Sequence, residues 1–170
     1  MSTATESRPT DVSNGELLRW AFGILNTRSV EPLRGFWTDA TLERFPQGTR
    51  RGEDAIAEYF EEAFAALPDF NMEILGLAEQ NDDVFVHWKL TGTHSGAPFQ
   101  GVEATGREIA LDGIDHFVVR DGTVESNFVV YDQMQFARQI GLIPEDGTRA
   151  DRGMKAAFNA KNRVMKRVAK

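Results

Sequence analysis

At Phe70 the hydrophobic period of this chain changes from helical to alternating, and the alternation persists almost to Asp132. Four segments, roughly 70–80, 84–94, 107–120 and 123–131, read as strands. The turns Asn81-Asp82-Asp83 and Asp121-Gly122 are too short for a crossover, so they join their strands as tight antiparallel hairpins. A sheet of this kind buries one face and needs a cover. The cover lies upstream. Ser13 and Glu16 have capping-box spacing, and Leu17, Leu18, Ala21, Phe22, Ile24 and Leu25 recur at helical intervals as far as Asn26. A short helix is expected over Ser29 to Trp37, with Pro32 in its first turn, and a short strand over Thr41 to Phe45. The loop Pro46 to Gly52 leads into a longer helix. That helix places Glu53 and Asp54 at its positive end, lines one face with Ile56, Tyr59, Phe60, Phe64 and Leu67, and stops at Pro68. Asp132 and Gln135 open a last helix that ends near Gly141 and Pro144. Helices, then a meander, then a helix define an α+β domain. A strongly curved sheet with helices in its hollow leaves a cavity at one end, and the loop Ser95 to Gly106 is placed to rim it.

The chain's 170 residues fit one domain that can enclose a core and a modest pocket. Cysteine is absent, which excludes disulfides, thiolate nucleophiles and cysteine-ligated metal centres and makes a reducing, cytoplasmic setting the expectation. No apolar run approaches the ~18 residues of a membrane span. Residues 1–12 read as a flexible polar leader, 13–143 as the domain and 144–170 as a basic helical extension. The formal charge of −7 is unevenly spread: the last twenty residues are strongly basic, with Asp151 their one acid. The acidic remainder repels a phosphate backbone, so nucleic acid is not expected as a partner. In the extension Met154, Ala157, Phe158, Met165 and Val168 recur at helical spacing with bases between them. Such a cationic amphipathic helix is expected to pack on the acidic body or on a dimer partner, with contact to a membrane surface as the lesser alternative.

One face of the strand 107–120 reads Ile109, Leu111, Gly113, Asp115, Phe117, Val119, so a carboxylate stands in an apolar row. Buried there, Asp115 either finds a partner or keeps its proton. Both a satisfied structural Asp and an acid–base catalyst fit that position. If the short strand turns Arg44 inward, Arg44 and Asp115 share the cavity. They are then either a structural ion pair, or a catalytic pair in which Arg44 polarises a substrate carbonyl while Asp115 moves a proton. Asn127 and Tyr131 share a strand face with Val129 and could offer neutral hydrogen bonds, with Trp88 and Phe117 as apolar walls. His87, His94 and His116 lack metal-ligand spacing, His116 falls on the opposite sheet face from Asp115, and no Gly-Lys-Ser or Gly-Lys-Thr loop occurs. Neither a metal nor another cofactor is therefore expected.

The strings GIDHFVVRDGTV (Gly113 to Val124), GTHSG (Gly92 to Gly96), TGR (Thr105 to Arg107) and YDQMQFARQIG (Tyr131 to Gly141) resemble the SnoaL-like, polyketide-cyclase-like branch of the nuclear-transport-factor-2-like superfamily. The resemblance spans about residues 13–143. It implies a cone-shaped α+β fold, in which a strongly curved, mainly antiparallel sheet wraps N-terminal helices around an internal apolar pocket, usually in a homodimer formed through the sheet. Asp115 falls where ketosteroid isomerases of this fold keep a protonated oxyanion-hole Asp. Their catalytic base falls at Arg44, and their oxyanion-hole tyrosine at or next to Ala21. The aldol cyclases carry their catalytic Asp at the position of Val129 and a pocket histidine at that of Asp115, and the epoxide hydrolases also place an Asp at Val129. None of these three mechanisms carries over whole.

The expectation is a cofactor-independent enzyme that acts by proton transfer on a small, mostly apolar carbonyl or polycyclic compound, as a cyclase, isomerase, dehydratase or hydratase. Its catalytic residues would be Asp115 and Arg44, with Trp88, Phe117, Asn127 and Tyr131 contacting substrate. A non-catalytic ligand-binding or dimerisation module of the same fold is the alternative.

Overall fold

The computed structural model describes residues 7–168. Its helices are α1 (Asn14–Leu25), α2 (Glu53–Ala66), α3 (Gln133–Gln139) and α4 (Arg149–Val168). Its strands are β1 (Leu42–Phe45), β2 (Gly48–Arg51), β3 (Asn71–Gln80), β4 (Asp83–Thr93), β5 (Glu108–Arg120) and β6 (Thr123–Tyr131). All six form one sheet in the order β2-β1-β6-β5-β4-β3. The four meander strands lie within a residue or so of the segments read from alternation, and the capping box of α1 is formed by Ser13 and Glu16.

Two segments differ from expectation. Ser29 to Trp37 is not a helix: it holds a single 3-10 turn, Glu31–Leu33, because Gly35 takes φ +76°, which a continuing helix cannot use. The loop after β1 contains the strand β2, which folds back on β1 with Phe45 opposite Gly48. Four residues of the type Gly-Thr-Arg-Arg carry no alternation to read, and Gly48 at φ +139° turns the chain where a side chain would resist. β1 lies parallel to β6, with Glu43 beside Asn127, while every other pairing is antiparallel.

The sheet curves around α1 and α2. Register shifts at Ile74/Gly76 and Val118/Val119 break the ladder and add the local twist that bends long strands. The N-terminus of α1 is held by Glu79 of β3, whose carboxylate accepts from the backbone N–H of Asn14 at 3.1 Å and of Gly15 at 2.9 Å, a favourable place for a negative charge. The loop after β4 closes on the other helix: Gly96 donates to Ala66 O and Ala97 to Ala65 O. A Cβ on Gly96 would lie 1.9 Å from Ala65 O, so that contact accepts glycine alone.

Of the leader, Arg8 donates to Gly35 O at 3.1 Å and lies over the Phe36 ring; residues 1–6 fall outside the described residues. The basic extension is helical, as its spacing predicts. Its base is tied down by the buried Asp151, which accepts from Gly147 N–H and from Lys155 Nζ, and by Arg152, which donates to Gly147 O. Farther along, Phe158 is 64% exposed and Met165 59%, so the apolar stripe does not pack on the body of its own chain as expected. Among the described residues no helix is long and apolar enough to cross a membrane.

Candidate active site

Inward-facing residues of the curved sheet meet α1 and α2 around a hollow with about 900 Å³ of atom-free space, its open mouth included. The walls are largely aromatic: Phe45 stacks on Tyr59 at 4.1 Å between ring centres, and Trp37 on Phe60 at 5.7 Å. Phe99, from the loop Ser95 to Gly106, also lines the space, so that loop does border the hollow.

In this apolar setting stand two carboxylates. Strand alternation turns every second side chain of β5 inward, and Asp115 follows Ile109, Leu111 and Gly113 to the buried face, where it is 6% exposed. On β1 the inward residues are Glu43 and Phe45, and Glu43 is 2% exposed. Arg44 therefore points the other way. It is exposed on the outer face, its guanidinium 5.0 Å from the centre of the Phe128 ring, and it shares no cavity with Asp115. The expected Arg44–Asp115 pair is replaced by Glu43 and Asp115. The cause is the strand's parity: Leu42 and Phe45 put an apolar residue on each face, so hydrophobicity alone does not orient it. The aromatic residue is the better guide, since Glu43 stands two residues from Phe45 and so on the same side.

Asn127 of β6 lies between the two acids. Its Nδ2 donates to Glu43 Oε2 at 3.4 Å and to Asp115 Oδ2 at 3.3 Å, and the residue is 2% exposed. Each acid has one further donor, an indole: Trp37 Nε1 donates to Glu43 Oε1 at 2.9 Å, and Trp88 Nε1 to Asp115 Oδ1 at 2.9 Å. Trp88 reaches Asp115 because its neighbour across the ladder is Gly113, which leaves room for the ring to lie flat. The donors do not offset burial. Loss of water pushes Glu43 up to about 8, helped by the nearby Asp115, and pushes Asp115 up to about 7. Among the described residues no Lys, Arg or His lines the hollow.

Tyr59 of α2 and Tyr131 of β6 form a second polar group on the wall. Gln47, from the β1–β2 turn, donates to the Tyr131 hydroxyl. Burial raises both phenols above their usual value, so both stay neutral at physiological pH. Trp88, Phe117, Asn127 and Tyr131 thus line the hollow with Asp115, as the sequence predicts, while Glu43, Trp37 and Tyr59 complete a set that sequence reasoning misses. Trp37 and Tyr59 carry no signal beyond apolar periodicity, which core residues share. His116 lies on the outer face, bonded to Asp83 at 2.6 Å, and His94 is buried away from the hollow's lining. Among the described residues no group of three His, Cys, Asp or Glu is gathered to hold a metal ion.

Two raised carboxyls joined by an amide, in a dry aromatic space, can hold a proton on one and take a proton on the other near neutral pH. Solved structures of this shape exist. TsrD from Streptomyces laurentii superposes with a TM-score of 0.68 at 18% identity, covering 77% of this chain and 98% of its own. A SnoaL-like polyketide cyclase from Agrobacterium tumefaciens superposes at 0.63 with 18% identity, covering 76% and 100%. IdmH from Streptomyces antibioticus superposes at 0.61 with 23% identity, covering 71% and 92%. At these identities the likeness shows the nuclear-transport-factor-2-like fold. No curated protein sequence matches the chain. The sequence pattern of the SnoaL-like polyketide cyclases, by contrast, matches residues 15–140, most of the chain, and the chain therefore belongs to the SnoaL-like polyketide cyclase family.

Proposed function

We propose that this protein is a cofactor-independent enzyme of the cyclase or isomerase type, moving protons on a compact, mostly apolar substrate held between Glu43 and Asp115. The observation that carries this reading is the pair itself: two carboxyls, both nearly inaccessible, joined through Asn127 in a space that no Lys, Arg or His lines among the described residues. A structural acid usually has a cationic partner or lies at the surface, and these two have neither. Glu43, with the higher proton affinity, is the acid that donates to a substrate oxygen; Asp115, with the lower, is the base that takes a proton from carbon. The aromatic walls exclude water and orient the ring system, and the Tyr131 hydroxyl, which accepts from Gln47 and so keeps its own proton to give, bonds a second oxygen. A SnoaL-like binding module without chemistry is the alternative.

Screening against polycyclic and terpenoid ketones and lactones tests the choice. With a converted substrate, Glu43→Gln and Asp115→Asn are each expected to lower turnover by at least ~100-fold without unfolding the chain, the usual loss on removing a general acid or base. Arg44→Met, altered on the outer face, is expected to leave turnover unchanged. Because the acid must be protonated and the base ionised, kcat/KM should peak between about pH 7 and pH 8, with the two limbs belonging to the coupled pair. No turnover with any substrate, or turnover unaffected by both acid variants, removes the enzymatic reading.

The outer face of the sheet supports a homodimer. Phe85, Ile114, Phe128 and Val130 are about half exposed there on three adjacent strands, with His116 stacked on Phe85 at 4.3 Å between ring centres. Such a row on one face is self-complementary about a twofold axis. Sedimentation should show a dimer that Phe128→Asp converts to monomer; a monomer at all concentrations would refute it.

A further inference from the structure

At the head of the hollow, among the described residues, no N–H donor is left free. Both indole N–H groups and the Asn127 amide N–H are already engaged with the two carboxyls. What remains unpaired is an acceptor: Asn127 Oδ1 is buried without a hydrogen-bond partner, on a residue that lines the hollow and is 2% exposed. A buried carbonyl oxygen left unmet costs free energy that an incoming N–H recovers. Around this head the walls are largely aromatic, and the electron-rich face of an aromatic ring attracts cations.

Resting on the reading of this hollow as the working site, we propose that it recognises positive charge: its ligands are compact apolar amines, bound as ammonium ions with the N–H groups on Glu43, Asp115 and Asn127 Oδ1. Anionic ligands such as carboxylates and phosphates are excluded by two acids that no lining base offsets.

The titratable groups facing the ligand are Glu43 on β1, Asp115 on β5, Tyr59 on α2 and Tyr131 on β6. The phenols stay neutral, so the acids set the pH response. An ammonium arriving near pH 7 stabilises the carboxylate forms and displaces protons, which makes binding tighten from pH 6 to pH 8.

The test uses the full-length chain and three ligands of one shape, 1-adamantylamine, 1-adamantanol and 1-adamantanecarboxylate, with titration calorimetry at pH 6, 7 and 8 as the readout. At pH 8 the amine is expected to bind at least about tenfold tighter than the alcohol, and the carboxylate at least about tenfold weaker than the alcohol. Amine binding at pH 7 should also release protons, seen as a heat that changes with the buffer's ionisation enthalpy. In Glu43→Gln/Asp115→Asn the preference for the amine should vanish while the alcohol still binds. An alcohol that matches or beats the amine, an amine preference retained in a double variant that still binds the alcohol, or failure of all three to bind overturns the proposal. Should the double variant not fold, the wild-type ranking decides alone. Turnover is not measured, so a protein with no detectable reaction can still pass this test, and a working enzyme can fail it.

Discussion

Between pH 5 and pH 9 the wild-type chain is expected to lose stability steadily relative to Glu43→Gln/Asp115→Asn, which should be the more stable protein at pH 9. The sign follows from proton counting. In the unfolded chain the two carboxyls titrate near 4.5 and 3.8; in the folded chain they titrate near 8 and 7. Below about pH 3 both states hold the protons and neither is favoured. Above it, the unfolded chain releases protons that the folded chain retains, so rising pH favours unfolding until both folded groups have ionised. A tenfold difference in proton affinity between the two states is worth about 1.4 kcal/mol, and the pair together a penalty on the order of 9 kcal/mol by pH 9. The amides keep the shape and remove the titration. For a chain of this length that difference corresponds to roughly 20 °C or more in melting temperature at pH 9, shrinking to little near pH 4. Melting curves of the two proteins at pH 5, 7 and 9 check it. If the gap between them does not widen with pH, the two acids are not buried as the structure has them. A stable protein that improves when its carboxylates are removed is what the proposed function leads one to expect, since catalytic groups are kept at a cost to the fold.

The same pair shows why fold and site are not equally legible in the sequence. The meander announces itself through nine to thirteen residues at a stretch, long enough for parity to be unambiguous; Asp115 falls inside because Ile109, Leu111, Phe117 and Val119 share its face. Glu43 sits on a strand of four residues with an apolar residue on each face, and a one-residue choice there moves an arginine into the hollow and an acid out of it. The partner strand β6 resolves the choice, because Glu43 lies beside Asn127 in the parallel pair, yet a parallel pairing between residues 43 and 127 leaves no local trace in the chain. The aromatic wall is legible only as core. Trp37 and Tyr59 follow the apolar period of their segments, and whether a ring faces a filled core or an empty hollow depends on what the opposite wall lacks. Gly113 is one such vacancy: along the strand it reads as a member of an apolar row, and nothing in that row announces its consequence for Trp88.

Gly113→Ala is expected to cost about 3 kcal/mol and to disable the site from a position that contacts no ligand. An added Cβ would lie 2.2 Å from Trp88 Cζ2 and 2.4 Å from Cη2, distances no rotation of a methyl can relieve. The indole must swing away, and with it goes the Nε1 bond to Asp115 Oδ1, one of the two hydrogen bonds that hold down the proton affinity of that acid. Two effects then separate. The steric one belongs to the indole's six-membered ring, so in a Trp88→Phe background the same alanine should cost less than about 1 kcal/mol, a coupling that a double-mutant cycle on thermal or urea unfolding measures directly. The electrostatic one belongs to the N–H: Trp88→Phe alone should raise the Asp115 pKa and move the lower limb of the pH–rate profile upward, with the upper limb in place. Were Gly113→Ala equally costly in both backgrounds, the clash would lie with the backbone and not with Trp88, and the glycine would be explained by strand geometry alone. Were the lower limb unmoved by Trp88→Phe, Asp115 would not be the group whose ionisation limits the reaction, and the assignment of base and acid between the two carboxyls would have to be exchanged.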